Sequence, residues 1–488
     1  MKKTIFFACY KGLLPVVLFC CLYSCGKTQP ANTTEPPVVP PGSTKPADVV
    51  YWLTKGDQTV LLQKQNQGLL FNSVLINGNP TIVVDTAERY QSVDGFGFAL
   101  TGGSAYLINR LPDAGRAALL KELFTTDSTF IGINYLRISI GASDLNANVY
   151  TYDDVSAGGQ PDTALTNFSL GADIYDLVPV LKQIVALNPN IKLLGSPWTA
   201  PAWMKTNNSA KGGSLKPEYY GVYAQYFVKY IQAMQALGIR IEAITPQNEP
   251  LNPYNNPSML MQAAEQAVFI KNYLGPAFKA AGITTKIIVY DHNCDVPNYP
   301  LSILADPDAY KYIDGSAFHL YAGVIGALTE VHNAYPDKNV YFTEQWVGAP
   351  GNFPADLSWH IKNLVIGATR NWSKSVIEWN LASDPNYLPH TQGGCTTCMG
   401  ALTISSNISR NVSYYVIAHA SKFVPSGSVR IASSNLNGLP NVAFQTPSGK
   451  KVLIVLNETT DSQSINIQFN NKMVTATLPA AAVGTFVW

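Results

Sequence analysis

Eight short apolar runs alternate with helix-like stretches between residues 92 and about 415. The runs lie at 94–98, 135–141, 192–198, 241–249, 286–292, 315–321, 340–346 and 376–381. Helical spacing fills most of the gaps, as at 114–124, 174–187, 218–237 and 258–281. A short apolar run bounded by turn signals suits a strand buried on both faces, as in a parallel sheet covered by helices. Eight strand–helix units predict an α/β fold with a closed parallel (β/α)8 barrel, the TIM-barrel arrangement. The competing topology is an open doubly wound sheet. The Gly-rich phosphate loop expected after its first strand is absent in the needed form.

Polar groups gather where these runs end: Arg137 and Asp144, Trp198, Asn248 and Glu249, Asp291 and His292, His319 and Tyr321, Glu344, Trp379 and Asn380. Barrel active sites occupy the C-terminal ends of the strands. One such residue is compatible with packing; the same bias on strand after strand is not.

From about Tyr415 onward the pattern changes to short alternating strands at 429–432, 442–444, 451–456, 464–469, 473–478 and 483–488. They predict a small antiparallel, β-sandwich-like side domain. Two early runs, 59–63 and 81–85, have no barrel partner and are expected to join the same sheet. The expected organisation is therefore 1–24 export signal, 25–50 lipid-anchored flexible linker, 51–91 strands of the side domain, 92–415 barrel and 416–488 C-terminal β domain.

The first segment carries Lys2 and Lys3, then an apolar stretch interrupted by Lys11 and Pro15, too broken for a spanning helix. Leu22-Tyr23-Ser24-Cys25 resembles a lipoprotein signal box, with Cys25 as the lipidated first mature residue. The expected location is the cell envelope, at the outer membrane, with this lipid as the membrane contact. A Pro- and Thr-rich tether follows, to about residue 48. Cleavage would leave Cys25, Cys294, Cys395 and Cys398. The pair Cys395 and Cys398 suits a redox motif, half a zinc site or a local disulfide. No second CxxC completes a zinc site, and export favours the disulfide.

A net charge of +1 with 13% charged residues supplies no electrostatic basis for nucleic-acid binding. The 26 Tyr and 8 Trp are mostly core material, yet compatible with stacking platforms for sugars. Glu249 and Glu344 close the fourth and seventh runs, and a closed barrel sets those strands across from each other. A retaining glycosidase needs two carboxyl groups about 5–5.5 Å apart, one attacking and one donating a proton. Mutual repulsion would raise the pKa of the acid. Asn248 is placed for a sugar 2-hydroxyl, Arg137 to keep Glu344 ionised and Tyr321 to bond the nucleophile. Trp198 and Trp379 would be apolar walls. An Asn-Glu-Pro triplet alone is common, and a lone histidine is more often structural; the joint pattern carries the catalytic reading. No cofactor or metal is called for, and a monomer is the default.

These residues carry a family resemblance from about residue 50 to the end. Asp94-Gly95-Phe96-Gly97-Phe98, Leu136-Arg137-Ile138-Ser139, Ser196-Pro197-Trp198-Thr199-Ala200-Pro201, Asn248-Glu249-Pro250, Phe318-His319-Leu320-Tyr321, Phe342-Thr343-Glu344 and Glu378-Trp379-Asn380 resemble glycoside hydrolase family 30, which includes the glucosylceramidases. The resemblance implies a barrel with a side β domain, Glu249 as acid/base and Glu344 as nucleophile. It also implies a sugar site lined by Asn248, Trp198, His319, Tyr321 and Trp379, with Arg137 and Asp144 beside them. Gly102 stands where glucosylceramidases carry an Asp that holds distal hydroxyls, so glucosylceramide is not the expected substrate. The stretch from Gly95 to Ala105, the Gly393–Cys398 loop and the lipoprotein start resemble the bacterial β-1,6-glucanase branch, which implies an endo-acting enzyme on β-1,6-glucan. Alternatives are an exo-acting β-glucosidase or glucosylceramidase, a β-xylosidase, a β-1,6-galactanase or, in another class, a non-catalytic glycan-binding lipoprotein.

Overall fold

The computed structural model describes residues 47–488 apart from Leu75 and Ala157. The expected export signal, the lipidation site Cys25 and most of the expected linker lie outside the described residues. Residues 47–488 form one compact unit.

Eight parallel strands close into a barrel in chain order. They are β1 (Gly95–Ala99), β2 (Tyr135–Ser139), β3 (Lys192–Ser196), β4 (Ala243–Ile244), β5 (Lys286–Cys294), β6 (Ile313–Gly323), β7 (Asn339–Glu344) and β8 (Ser373–Asn380). Burial on both faces explains the continuous apolar runs. In β2, Leu136 and Ile138 pack with the surrounding helices, while Tyr135 joins Leu194, Ala243, Ile288, Ala317, Tyr341 and Ile377 in a separate cluster, one residue from each of β2 to β8. That cluster fills part of the barrel interior with side chains. From β1 comes only Gly97, where a Cβ would lie 1.8 Å from the Tyr135 carbonyl oxygen, so glycine permits the close strand pairing.

Two elements differ from the sequence expectation. The fourth strand is two residues long rather than spanning 241–249. Pro246 has no N–H for a ladder, and the chain leaves the sheet there. The helix expected from 258 starts at Ala263, after Gln262 and Glu265 form a capping box. Residues before it are held in a loop instead, with the Leu260 N–H donating to the Gly213 carbonyl.

The side domain is a ten-stranded sheet in which Val50–Lys55 and Thr81–Ser92 lie among the C-terminal strands. The 12-residue strand Thr81–Ser92 pairs antiparallel with Val429–Ser433 and parallel with Gln463–Phe469, so one pairing is not antiparallel. The strand expected at 59–63 is mostly a turn. Both the N–H and the hydroxyl of Thr59 donate to Asp57, and Leu62 adopts φ 45°; pairing starts only at Gln63–Lys64. Helix Val412–Ser421 crosses the expected boundary at 415–416, and it is buried along its whole length against barrel and sheet. Among the described residues, no helix is long and apolar enough to cross a membrane.

Candidate active site

The C-terminal ends of β2 to β8 converge on a cleft of about 240 Å³ lined by Asp144, Trp198, Asn248, Glu249, Asn255, Tyr321, Glu344, Trp346, Trp379 and the two cysteines Cys395 and Cys398. Glu344 is the last residue of β7. Glu249 lies just beyond β4 with φ 45°, a left-handed backbone that costs a non-glycine residue about 1–3 kcal/mol. Its N–H donates to the Asp291 carbonyl at 3.0 Å and its carbonyl accepts from Asn252, which holds that conformation. One oxygen of Glu249 and one of Glu344 lie within 4.8 Å of each other, and His319 lies within the same distance of both.

Arg137 is fully buried beneath this pair. Its Nη1 donates to Glu344 Oε2 at 2.5 Å, and Nη2 donates to Asn248 Oδ1 at 2.6 Å and Asp291 Oδ2 at 2.8 Å. The Tyr321 hydroxyl donates to the other Glu344 oxygen at 2.9 Å. With its oxygen committed to Arg137, Asn248 presents its NH₂ group to the cleft. Trp198 and Trp379 stack on each other with centroids 5.3 Å apart, and the Arg137 guanidinium lies 4.8 Å from the Trp198 ring. Both indoles are almost fully buried, so they form the floor of the cleft more than open walls.

Asp144 is buried at the rim, and the loop after β8 docks on it. Thr391 N–H donates to its carbonyl, and Cys395 N–H to its carboxylate at 3.3 Å. Cys395 and Cys398 are disulfide-bonded in that loop, and Cys294 is a buried free thiol. Burial, with the Glu344 charge adding, pushes the Asp144 carboxyl up to about 7.

Several residues of the site were missing from the sequence-derived set. Asp291, in the C-terminal half of β5, is fully buried and accepts from Arg137, Ser196, Thr245 and Thr343, with His319 Nε2 at 3.1 Å. Its strand-end position was the one signal that pointed to it. Asn252 donates to Glu249 at 2.8 Å, and Trp346 and Asn255 line the rim; their only signal was proximity in sequence to the two glutamates.

The electrostatics run against the expected pattern. Burial raises Glu344, and the Glu249 charge adds to it, against His319, Arg137 and Tyr321. Glu249 is buried too, yet the His319 hydrogen bond and charge, with His292 and Asn252, hold it down to about 2. Burial alone would lower His319; the Glu344 charge and the hydrogen bonds to Asp291 and Glu249 outweigh it and push it up to about 9. Repulsion therefore lifts Glu344 rather than Glu249. Glu344 still accepts from a guanidinium and a phenol, the donor set that suits an ionised carboxylate.

Residues 93–424 match the glycosyl hydrolase family 30 TIM-barrel domain, and residues 427–486 the family 30 beta sandwich domain. An endo-1,6-beta-D-glucanase of Neurospora crassa is 37% identical over 82% of this chain and 88% of that protein. The lysosomal acid glucosylceramidase of Mus musculus is 29% identical over 83% of each chain. Among solved structures, the endo-beta1,6-glucanase BT3312 superposes with a TM-score of 0.84 at 37% identity, covering 91% of this chain and 99% of that one. SrfJ from Salmonella typhimurium gives the same score at 27% identity. With two carboxylates facing each other in a barrel mouth and both domains matched, the chain belongs to glycoside hydrolase family 30 and is a glycoside hydrolase.

Proposed function

We propose that the protein is a retaining endo-β-1,6-glucanase, with Glu344 as nucleophile and Glu249 as acid/base. The observation that carries the retaining part is the approach of the two carboxylates, whose nearest oxygens lie within 4.8 Å. Inverting enzymes keep their carboxyl groups about 6.5–9.5 Å apart to admit a water. The relatives at 37% identity that act as endo-1,6-β-glucanases support the linkage.

Each step of that reading has a residue suited to it. Arg137 and Tyr321 orient Glu344 and keep it ionised for attack on the anomeric carbon. The Asn248 NH₂ meets the 2-hydroxyl, where hydrogen bonding strengthens as the oxocarbenium-like state forms. Glu249 delivers a proton to the departing oxygen, then removes one from the water that cleaves the glycosyl–Glu344 ester. Asp144, at the rim, is placed for distal hydroxyls.

The test is the product profile on β-1,6-glucan beside β-1,3- and β-1,4-glucans. Oligosaccharides from the β-1,6 polymer alone are the expected result. Glucose as the sole product would replace the endo assignment with an exo-acting β-glucosidase, and turnover of the other linkages alone would remove the β-1,6 assignment. The lipoprotein box adds an envelope location to the proposal: Cys25→Ser should release the protein from the membrane fraction of the expressing cells.

A further inference from the structure

We propose that His319 stores the acid's proton: in the empty cleft that proton sits on His319 Nδ1, and it crosses the 3.4 Å contact to Glu249 Oε1 when a glucan is cleaved. The inference rests on the roles just proposed for the two glutamates.

The geometry of the ring carries it. His319 is fully buried on β6, and each of its nitrogens faces a carboxylate oxygen. Nε2 is 3.1 Å from Asp291 Oδ1; Nδ1 is 3.4 Å from Glu249 Oε1 and 3.9 Å from Glu344 Oε1. A neutral imidazole has one N–H, so with all three carboxylates ionised one ring lone pair would face a carboxylate lone pair. Two arrangements avoid this. Either the ring is an imidazolium donating both ways, or Nε2–H donates to Asp291 and Nδ1 accepts from a protonated Glu249. They differ only in which side of one hydrogen bond holds one proton.

Asp291 decides which nitrogen takes part. It accepts from Arg137 at 2.8 Å and from the hydroxyls of Ser196, Thr245 and Thr343 at 2.7–2.8 Å, so it stays ionised and holds the Nε2 proton. Only the Nδ1 proton is free to move. The other groups around the ring are His292, with its centroid at 6.4 Å, and Tyr321 at 6.1 Å. His292 Nδ1 accepts from the Leu251 N–H at 3.4 Å, and burial lowers its pKa. Arg137 reaches the ring only through Asp291 and Glu344.

The direction of transfer follows the charge on Glu344. In the empty cleft that charge is the largest influence raising His319, which stands at about 9 against about 2 for Glu249. As Glu344 bonds to the anomeric carbon its negative charge disappears, and the hold on the proton weakens when the leaving oxygen needs it. The His319 Nδ1–H bond breaks and Glu249 Oε1–H forms; that bond then breaks as the leaving oxygen takes the proton. In the second half, water gives a proton to Glu249 while its oxygen bonds the anomeric carbon. Glu344 leaves as a carboxylate, and its restored charge draws the proton back to His319.

His319 acts through Glu249 and is a positioning residue, so the test reads protonation directly. The intact protein, labelled with ¹⁵N-histidine, has six histidines to resolve. One ring should stay doubly protonated from neutral pH to about 9. Its midpoint should fall by more than about one pH unit once Glu344 is trapped as the 2-fluoroglucosyl ester. A neutral ring in the free enzyme, or an unmoved midpoint in the trapped one, overturns the proposal. In His319→Gln the basic limb of kcat/KM on β-1,6-glucan should move down by at least about one unit, more than the acidic limb moves. A dinitrophenyl glucoside, whose leaving group needs no proton, should lose much less rate. An equal loss at every pH and for both substrates would leave only a structural role. If the glucan is not cut but the aryl glucoside is, the substrate assignment falls and the proton store stands. If the glucan is cut and the ring is neutral, only the proton store falls.

Discussion

At the residue scale, Arg137 carries the most. Its two terminal nitrogens serve Glu344, Asn248 and Asp291 together, a fork that a lysine ammonium cannot reproduce. Arg137→Lys should lower kcat by on the order of 10²-fold through misplacement, with a smaller change in KM. Steady-state kinetics on β-1,6-glucan checks this, and an unchanged kcat would mean the fork is not needed. Arg137→Met leaves Asp291 buried without its guanidinium partner and should cost about 3–5 kcal/mol in denaturant unfolding. The two glutamates separate by rescue. Glu249→Ala should lose about 10²–10⁴-fold on glucan yet still form the glycosyl-enzyme from an aryl glucoside, and azide should restore turnover of that substrate as a β-glycosyl azide. Glu344→Ala should be inactive on every substrate, and azide should yield the inverted α-product. A β-azide from Glu344→Ala alone would exchange the two roles.

At the element scale, the site depends on where regular structure stops. β4 ends at Ile244, and the following turn puts Glu249 at φ 45° over the barrel axis. The loop after β8 is closed by the Cys395–Cys398 disulfide and rests on Asp144. Closing so short a loop restrains the unfolded chain by only about 2 kcal/mol, so its larger effect is on the rim. The double variant Cys395→Ser/Cys398→Ser should raise KM for glucan roughly tenfold, with a small change in Tm. An unaltered KM alongside a large fall in Tm would reverse that assignment. With both sulfurs in this bond, neither is a thiolate that could ligate zinc.

At the scale of the whole molecule, barrel and side domain are pinned by His419. It lies on the fully buried helix Val412–Ser421, with Nδ1 2.8 Å from the Thr485 hydroxyl and Nε2 2.7 Å from the Thr54 hydroxyl, each on a strand of the side sheet. Burial lowers its pKa to about 3. The unfolded chain then binds a proton that the folded chain refuses, so this contribution is complete above about pH 6.5 and is lost as pH falls toward 3. The slope is about 1.4 kcal/mol per pH unit within that window. Between pH 7 and pH 4 the wild type should lose more unfolding free energy than His419→Gln, because the carboxylates common to both cancel. Equal losses would mean that His419 does not link the domains to pH.

The sequence by itself determined the barrel, the side sheet and the identity of the facing glutamates. Those properties live in local pattern: runs buried on both faces, alternation in the last 60 residues, and polar residues placed where strands stop. Turn chemistry was less legible. The apolar letters at 59–63 look like a strand, but Asp57 and Thr59 close a turn across their start, and the shortening of β4 follows from Pro246 only once its sheet neighbours are known. The charge states were decided by tertiary structure alone. Asp291 appears in the chain as one more polar strand end. Its partners Arg137, Ser196, Thr245 and Thr343 come from four other strands or strand ends, and only closure of the barrel brings them within 3 Å. Electrostatic energy depends on separation through space and on exclusion of water, and neither is encoded by position along the chain. Hence the sequence could name Glu249, Glu344 and His319, while the fold decides which of them holds the proton.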